Sequence, residues 1–471
     1  MSLKVAEITA RSGVAFGTSG ARGLVTGFTP EVCLSLTQGF LKLPGIKRGT
    51  VLLGHDLRPS SPGIARAVIA AAEAAGHSVI FAGVLPTPAL AYAATQMGLP
   101  AIMVTGSHIP FDRNGIKFYR AEGEITKADE QAMMAAEAPL SPLVLKPLPE
   151  ADPRAVEVYT ARCTGALADD ALAGLRIGIY EHSGVARDLM HAIFRALGAG
   201  TTGLGRTDTF VPIDTESLTP EDRKLGRDWS AEHGFDAIIS TDGDADRPLV
   251  SDERGQWLRG DVLGILAAKA VGAKTVVTPV NSNTALEKCG AFPHIIRTRI
   301  GSPYVLAGMG QATVEPVVGY EANGGFLLGS DVTIDGRTIK ALPTRDALLP
   351  MLLVLAAARS VGSVSKLLST LPPRFTHSDR IKDFATEQSR ALIARLAGDH
   401  AAAAKLMAPH SGKLVNIDTT DGFRASFENG DIVHLRPSGN APELRCYAEA
   451  ETAEKAEGLC VECLCRSSSQ I

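Results

Sequence analysis

Pro100-Ala101-Ile102-Met103-Val104-Thr105-Gly106-Ser107-His108-Ile109-Pro110 is a short apolar run that breaks into a polar loop. Flanked by turn formers, Pro100–Val104 reads as a buried strand. The Ser107 hydroxyl then lies in a loop at a strand's C-terminal end, where open α/β sheets bind their ligands. Two basic groups, His108 and Lys117, lie close after the serine in sequence and could move protons at that hydroxyl. Taken alone, Thr-Gly-Ser after a strand is also an ordinary polar turn. Its meaning depends on the rest of the chain.

The segments before it repeat one grammar. Val51–Gly54 reads as a strand, His55–Ser61 as a loop, and an Ala-rich helix follows to about Gly76. Ser78–Ala82 is the next strand, then Gly83–Pro88 and another helix lead to Pro100. Short apolar strands alternating with helices indicate βαβ units and a mostly parallel sheet. Upstream, Gly17-Thr18-Ser19-Gly20-Ala21-Arg22-Gly23 can offer backbone N–H groups and a guanidinium to an anion. It lacks the terminal Lys-Ser/Thr of a P-loop and does not match the dinucleotide fingerprint. Thr29-Pro30-Glu31 caps a helix predicted to reach about Leu43.

A Pro-rich stretch, Ala138–Pro153, reads as a linker, giving a first domain at 1–150. The second unit, 151–254, has strands at Leu175–Tyr180 and Phe235–Ser240. The latter runs into Thr241-Asp242-Gly243-Asp244-Ala245-Asp246-Arg247. Three carboxylates at alternate positions converge if the loop curls, and an all-oxygen set of this size suits Mg²⁺. An EF-hand is excluded, because Arg247 occupies the sixth position that the calcium loop reserves for glycine. A third unit, 255–370, has a helix at Gly260–Val271, a strand at Thr275–Pro279 and a polar turn at Ile300–Tyr304. Its loop Tyr320-Glu321-Ala322-Asn323-Gly324-Gly325 displays a carboxylate and an amide suited to a hydroxyl-rich ligand. The last unit, 371–471, carries Arg436-Pro437-Ser438-Gly439-Asn440, a plausible phosphate cradle.

Composition narrows the class. Of 471 residues, 45% are apolar and 21% charged, and the net charge of −4 argues against a nucleic-acid surface. The longest strongly apolar run, Ala347–Ala358, contains Pro350 and falls short of the roughly 20 residues a membrane span needs. Met1-Ser2-Leu3-Lys4 opens no signal peptide, so the cytoplasm is the expected location. Cys460, Cys463 and Cys465 cluster in a predicted terminal helix, but no second Cys or His pair lies near enough to complete a zinc site.

The five loops, in this order, resemble those of the α-D-phosphohexomutase family, in its phosphomannomutase/phosphoglucomutase branch. The resemblance covers essentially the whole chain. It implies three similar α/β domains with mixed, mostly parallel sheets and a C-terminal α+β domain around a central cleft. It places the transferred phosphate on Ser107, and Mg²⁺ on Asp242, Asp244 and Asp246 together with Ser107. Substrate contacts fall to Arg247, Glu321, Asn323, Arg436, Ser438, Gly439 and Asn440, with Arg22 and Lys117 near the reacting phosphate. His108 or Lys117 is the expected proton handler.

The implied reaction interconverts hexose 6-phosphate and hexose 1-phosphate, through phosphoserine and a hexose 1,6-bisphosphate that also serves as activator. Mannose phosphates are the leading expectation and glucose phosphates the runner-up, with glucosamine phosphate further behind. Three positions depart from the family pattern: Ile109 replaces an Asn, Asn323 a commoner Ser, and Gly325 a His found in some members. These bear on the preferred sugar. A sugar phosphatase would use the same serine and metal but has no need of a clamp on the far phosphate. A non-catalytic binding protein would have no need of both Ser107 and the aspartates.

Overall fold

The computed structural model describes residues 2–139, 142–438 and 442–469. Its first three units share one sheet plan. In the first, Ser78–Val84, Thr50–His55 and Ala101–Val104 lie side by side and parallel, and Arg113–Arg120 then pairs antiparallel with Ala101–Val104. In the second, Gly200–Leu204, Arg176–Tyr180 and Ala237–Thr241 are parallel and Pro248–Val250 is antiparallel. In the third, the parallel trio is His294–Thr298, Thr275–Pro279 and Val317–Tyr320, followed by antiparallel Phe326–Leu328 and Leu342–Asp346.

This plan fixes where the loops fall. Ser107, the three aspartates and Glu321 each sit in the connection from the last parallel strand to its antiparallel neighbour. Three topologically equivalent loops, one per unit, therefore supply most of the candidate site. The fourth unit differs: Phe375–Ile381, Leu444–Ala450, Ile432–Pro437, Phe423–Phe427 and Leu414–Asp418 form an antiparallel sheet, packed with three helices. The architecture is the expected one, three α/β units and a C-terminal α+β unit.

Local chemistry accounts for the elements. The helix Pro30–Leu41 starts where the Thr29 hydroxyl accepts from Val32 N–H and Pro30 occupies the first turn. Ser61–Ala74 buries Ala65, Ala67, Ala70, Ala71 and Ala72, small side chains that let it pack closely. Residues 142–152 form neither helix nor strand before the helix Arg154–Thr164 begins. One local expectation is corrected. Ile300–Tyr304 is not simply a turn but leads directly into the helix Ser302–Met309, for which Pro303 in the first turn supplies the start signal.

The core is organised unequally. One apolar cluster runs continuously from the helix Thr87–Met97 of the first unit through the second and third, including Ile179, Ile239, Val276, Phe326 and Leu352. The fourth unit has its own cluster around Phe384, Leu396, Phe423, Leu435 and Leu464. It meets the third unit through polar contacts: Asn283 Nδ2 donates to Arg374 O at 2.8 Å, Thr284 N to Glu449 Oε2 at 3.0 Å, and Ile300 N to Asp421 Oδ2 at 3.0 Å. Cys460 and Cys463 are buried in this unit while Cys465 is exposed, so the helix Ala453–Ser468 does not turn all three to one ligand. Among the described residues no helix is long and apolar enough to cross a membrane.

Candidate active site

Ser107 is fully buried and held at φ 52°, a left-handed conformation uncommon for a side chain other than glycine. The Ser107 Oγ–H donates to Asp242 Oδ2 at 2.6 Å, and His108 Nδ1 lies 3.2 Å from Ser107 Oγ. The loop is shaped from below by Arg58, also buried. Its Nη1 donates to Pro110 O at 2.8 Å and Arg113 O at 2.9 Å, and its Nη2 to Ser107 O at 2.9 Å and Ile109 O at 2.5 Å. Asp56 faces this guanidinium at 3.4 Å and also accepts from Gly106 N, while Phe210 of the second unit stacks on it at 4.0 Å. Arg58→Met should leave these carbonyls without a donor and let the serine wander. We expect kcat to fall about a hundredfold and stability by about 3–5 kcal/mol, measured by steady-state assay and denaturant unfolding.

The aspartate loop curls at Ala245, which takes φ 57°, rather than at Gly243. Gly243 instead provides clearance: a Cβ there would lie 2.8 Å from Ser107 O. Asp242, Asp244 and Asp246 are buried, with ligand oxygens within 4.8 Å of one another. Each carboxylate has one edge committed to protein. Asp242 Oδ1 accepts from Asp246 N and Arg247 N, both at 3.2 Å. Asp244 Oδ2 accepts from Thr87 Oγ1 at 2.6 Å and Lys117 Nζ at 2.7 Å. Asp246 Oδ2 accepts from Lys117 Nζ at 2.7 Å and from Arg345. The remaining edges, Asp244 Oδ1 and Asp246 Oδ1, are buried without a hydrogen-bond partner, although Asp246 Oδ1 faces Arg247 Nε at 3.7 Å, and Asp242 Oδ2 holds the serine. Orphaned carboxylate oxygens are costly to bury. An all-oxygen set of this kind fits a hard divalent cation.

Electrostatics agree with that fit. Burial, then the neighbouring Asp244 and Asp246, push the Asp242 carboxyl well above the usual carboxylate range. Burial acts the same way on Asp246, but Arg345, Lys117 and Arg247 outweigh it and hold that carboxyl well below. Burial pulls the Lys117 ammonium down, yet Asp244 and Asp246 raise it overall. Burial, followed by Arg247 and Arg22, lowers the His108 imidazole well below its ordinary value. Arg22, pushed down to about 10 by burial and then by Arg247 and Arg345, remains a cation at neutral pH. Strand register explains its place: Arg22 pairs with Gly115, two residues from Lys117 on the same face.

Glu321 and Asn323 are more buried than a displayed loop suggests. Glu321 Oε2 pairs with Arg345 Nη1 at 3.1 Å, and Asn323 Oδ1 accepts from Gly325 N at 2.9 Å, closing the turn. Arg247 is buried beside the aspartates, its Nε 3.8 Å from Asp242 Oδ2. In the fourth unit, Arg436 Nε lies 3.5 Å from Asp421 Oδ2 and makes no hydrogen bond, and Ser438 N donates to Glu443 O at 2.9 Å. Gly439 and Asn440 lie outside the described residues. The structure thus gathers Ser107, Lys117, Arg247, the aspartates and Glu321 into one buried cluster, with His108 and Arg22 half-buried at its edge. Arg58, Thr87 and Arg345 join it without having been singled out in the sequence.

Comparison with known proteins identifies this arrangement. Models of the four phosphoglucomutase/phosphomannomutase domains match the chain in order: α/β/α domain I over residues 13–138, domain II over 157–255, domain III over 259–375 and the C-terminal domain over 386–464. The chain belongs to the phosphoglucomutase/phosphomannomutase family. It is 47% identical over 454 residues to a phosphomannomutase of Salmonella muenchen, covering 96% of this chain and 95% of that one. It is 42% identical over 463 residues to a phosphomannomutase of Sinorhizobium fredii, covering 95% and 97%. A solved structure of a family protein from Burkholderia thailandensis superposes with a TM-score of 0.76 at 20% identity, covering 96% of this chain and 97% of that one, a likeness of fold. As a member of this family, the protein is an isomerase that moves phosphate on a hexose phosphate.

Proposed function

We propose that the protein interconverts mannose 6-phosphate and mannose 1-phosphate, with phosphate carried on Ser107 and Mg²⁺ on the aspartate loop. The observation that carries this reading is the 2.6 Å contact between Ser107 Oγ and Asp242 within a buried triad whose other two carboxylates each keep one oxygen without a hydrogen bond. Mannose is favoured by the two phosphomannomutases that match nearly the whole chain.

The residues divide the work. Phosphorylated Ser107 carries about −1.5 to −2 charges, and the cations Arg22, Lys117 and Arg247 lie around the adjacent His108 and the aspartate loop. Mg²⁺, when bound to Ser107, Asp242, Asp244 and Asp246, offsets further charge and polarises the phosphoryl oxygens. A sugar phosphate docks with its existing phosphate toward Arg436, Ser438, Gly439 and Asn440, and its hydroxyls toward Glu321 and Asn323. Its free hydroxyl attacks phosphorus as the bond to Ser107 Oγ breaks, the hydroxyl proton leaving to a basic neighbour. His108, lowered toward its neutral form and 3.2 Å from Oγ, can accept a proton. Lys117, held as ammonium by two carboxylates, can donate one to the departing Ser107 oxygen. The hexose 1,6-bisphosphate turns round, and its other phosphate returns to Ser107. Positioning and charge stabilisation do most of this work.

The direct test is a coupled assay with mannose 1-phosphate, glucose 1-phosphate and glucosamine 1-phosphate, with phosphate release followed in parallel. The reading predicts isomer formation, fastest from mannose 1-phosphate and abolished by chelator. Stoichiometric release of inorganic phosphate would make the protein a phosphatase instead.

Arg436 supplies a second test. An arginine fork on a phosphate is a charge-assisted contact worth roughly 1.5–3 kcal/mol. Arg436→Ala should therefore raise KM about ten- to a hundredfold and release bisphosphate before its second transfer. Such a variant would need added hexose 1,6-bisphosphate to stay active. A wild-type KM with no escaped bisphosphate would remove the fourth unit from phosphate recognition.

A further inference from the structure

Arg345 enters the site from the strand Leu342–Asp346 and touches two of its loops. Its Nε and Nη2 donate to Asp246 Oδ2 at 3.2 and 2.8 Å, and its Nη1 donates to Glu321 Oε2 at 3.1 Å. The side chain is only 2% exposed. The strand is pinned next door: Asp346 accepts from Tyr159 Oη at 2.6 Å and from Arg162 Nη1 at 2.8 Å. Phe326 pairs with Asp346 across the sheet, and the Arg345 stem, one residue before that pair, lies against Gly325. A Cβ at Gly325 would lie 2.5 Å from Arg345 Cδ and 2.7 Å from its Cγ. The bare glycine is what lets the arginine stem cross the loop.

We propose that Arg345 is a positioning residue that couples hexose-phosphate binding at the Glu321 loop to divalent-cation binding at the aspartate loop. The proposal rests on the functional reading above, in which Glu321 meets the sugar and the triad meets the cation. A guanidinium is a rigid planar fork, so the two carboxylates it holds are oriented together. Holding Asp246 by Oδ2 leaves Oδ1 for the cation. A sugar that fixes Glu321 restrains the fork and with it Asp246, so the cation meets a partner already ordered. A cation that fixes Asp246 does the same for the sugar. By linkage the two effects are equal, and couplings of this kind typically fall between about fivefold and 150-fold.

The test measures binding rather than turnover. Full-length protein, stripped of metal and treated with alkaline phosphatase, is titrated with Mn²⁺ while free ion is followed by electron paramagnetic resonance. The titration is run with and without saturating mannose 6-phosphate, whose own binding is measured by calorimetry. In wild-type protein the sugar phosphate should tighten Mn²⁺ binding by about fivefold or more. Arg345→Met should bring that ratio to one while each ligand still binds alone, and Arg345→Lys should restore part of it. Should the methionine variant fail to fold, Gly325→Ala makes the same test, because its Cβ displaces the arginine stem and keeps the charge in the protein. A ratio of one in wild-type protein that binds both ligands overturns the coupling and leaves the functional reading intact. A wild-type ratio retained in a folded Arg345→Met or Gly325→Ala variant removes Arg345 from it. Mannose 6-phosphate that does not bind wild-type protein at all would overturn the functional reading and the coupling together.

Discussion

Ser107→Ala should lower mutase turnover by at least about a thousandfold and leave the protein folded, because the atom that carries the phosphate is gone. The hydroxyl is not replaceable by a neighbour. The left-handed backbone at Ser107, the Arg58 fork beneath it and the 2.6 Å contact to Asp242 place one oxygen, and only the base of the loop depends on its backbone carbonyls. The alanine variant keeps those carbonyl contacts, so its circular dichroism should match wild type. Its intact mass should lack the single added phosphate that active wild-type protein carries. Turnover near the wild-type value would remove Ser107 from the reaction.

The second large effect concerns the aspartates, and it separates three residues that look alike. Losing a metal ligand removes several kcal/mol of transition-state stabilisation, about a thousandfold in rate. Asp242→Asn, Asp244→Asn and Asp246→Asn should share that loss in the steady-state assay with Mg²⁺. Their stabilities should diverge. Asp246 is the anionic partner of both Lys117 and Arg345, so Asp246→Asn strips charge from a buried pair at a cost of about 3–5 kcal/mol. Asp242 is the opposite case, its carboxyl raised by burial and by two like charges. A carboxyl whose folded pKa lies above its unfolded value costs stability once pH climbs past the unfolded value of about 4. In chelator, Asp242→Asn should therefore be at least as stable as wild type near neutral pH, with its advantage vanishing toward pH 4. Mg²⁺, by offsetting the same charge, should cancel that advantage. Thermal unfolding of the three variants in chelator and in Mg²⁺ reads all of this. Equal destabilisation by all three would contradict it.

The sequence announced the loops better than the contacts between them. Ala101–Val104 and Thr275–Pro279 are apolar enough to read as buried strands, and Asp242, Asp244 and Asp246 advertise themselves by spacing. The common sheet plan of three units appeared only as a shared grammar, because antiparallel strands such as Pro248–Val250 and Phe326–Leu328 span three residues each. Arg58 reads locally as part of a polar loop. Only the parallel pairing of Thr50–His55 with Ala101–Val104 brings that loop beside Ser107. Arg345 is harder, because its partners lie 99 and 24 residues away in sequence. One signal was present: Arg345-Asp346 is a charge pair immediately before a strongly apolar helix, a place where charges stay buried only when paired. The positive φ of Ser107 and Ala245 left no trace, since neither residue type favours it.

The central claim is that phosphate passes between sugar and Ser107 without release to water. The measurement that tests it most directly is a single-turnover chase. Wild-type protein is labelled by incubation with hexose 1,6-bisphosphate carrying radioactive phosphorus, the labelled peptide is mapped, and the protein is then mixed with unlabelled mannose 6-phosphate. The account predicts label on Ser107 and its transfer into mannose 1,6-bisphosphate and mannose 1-phosphate, at a rate no slower than steady-state turnover. Label on another residue, or its appearance as inorganic phosphate, would contradict it.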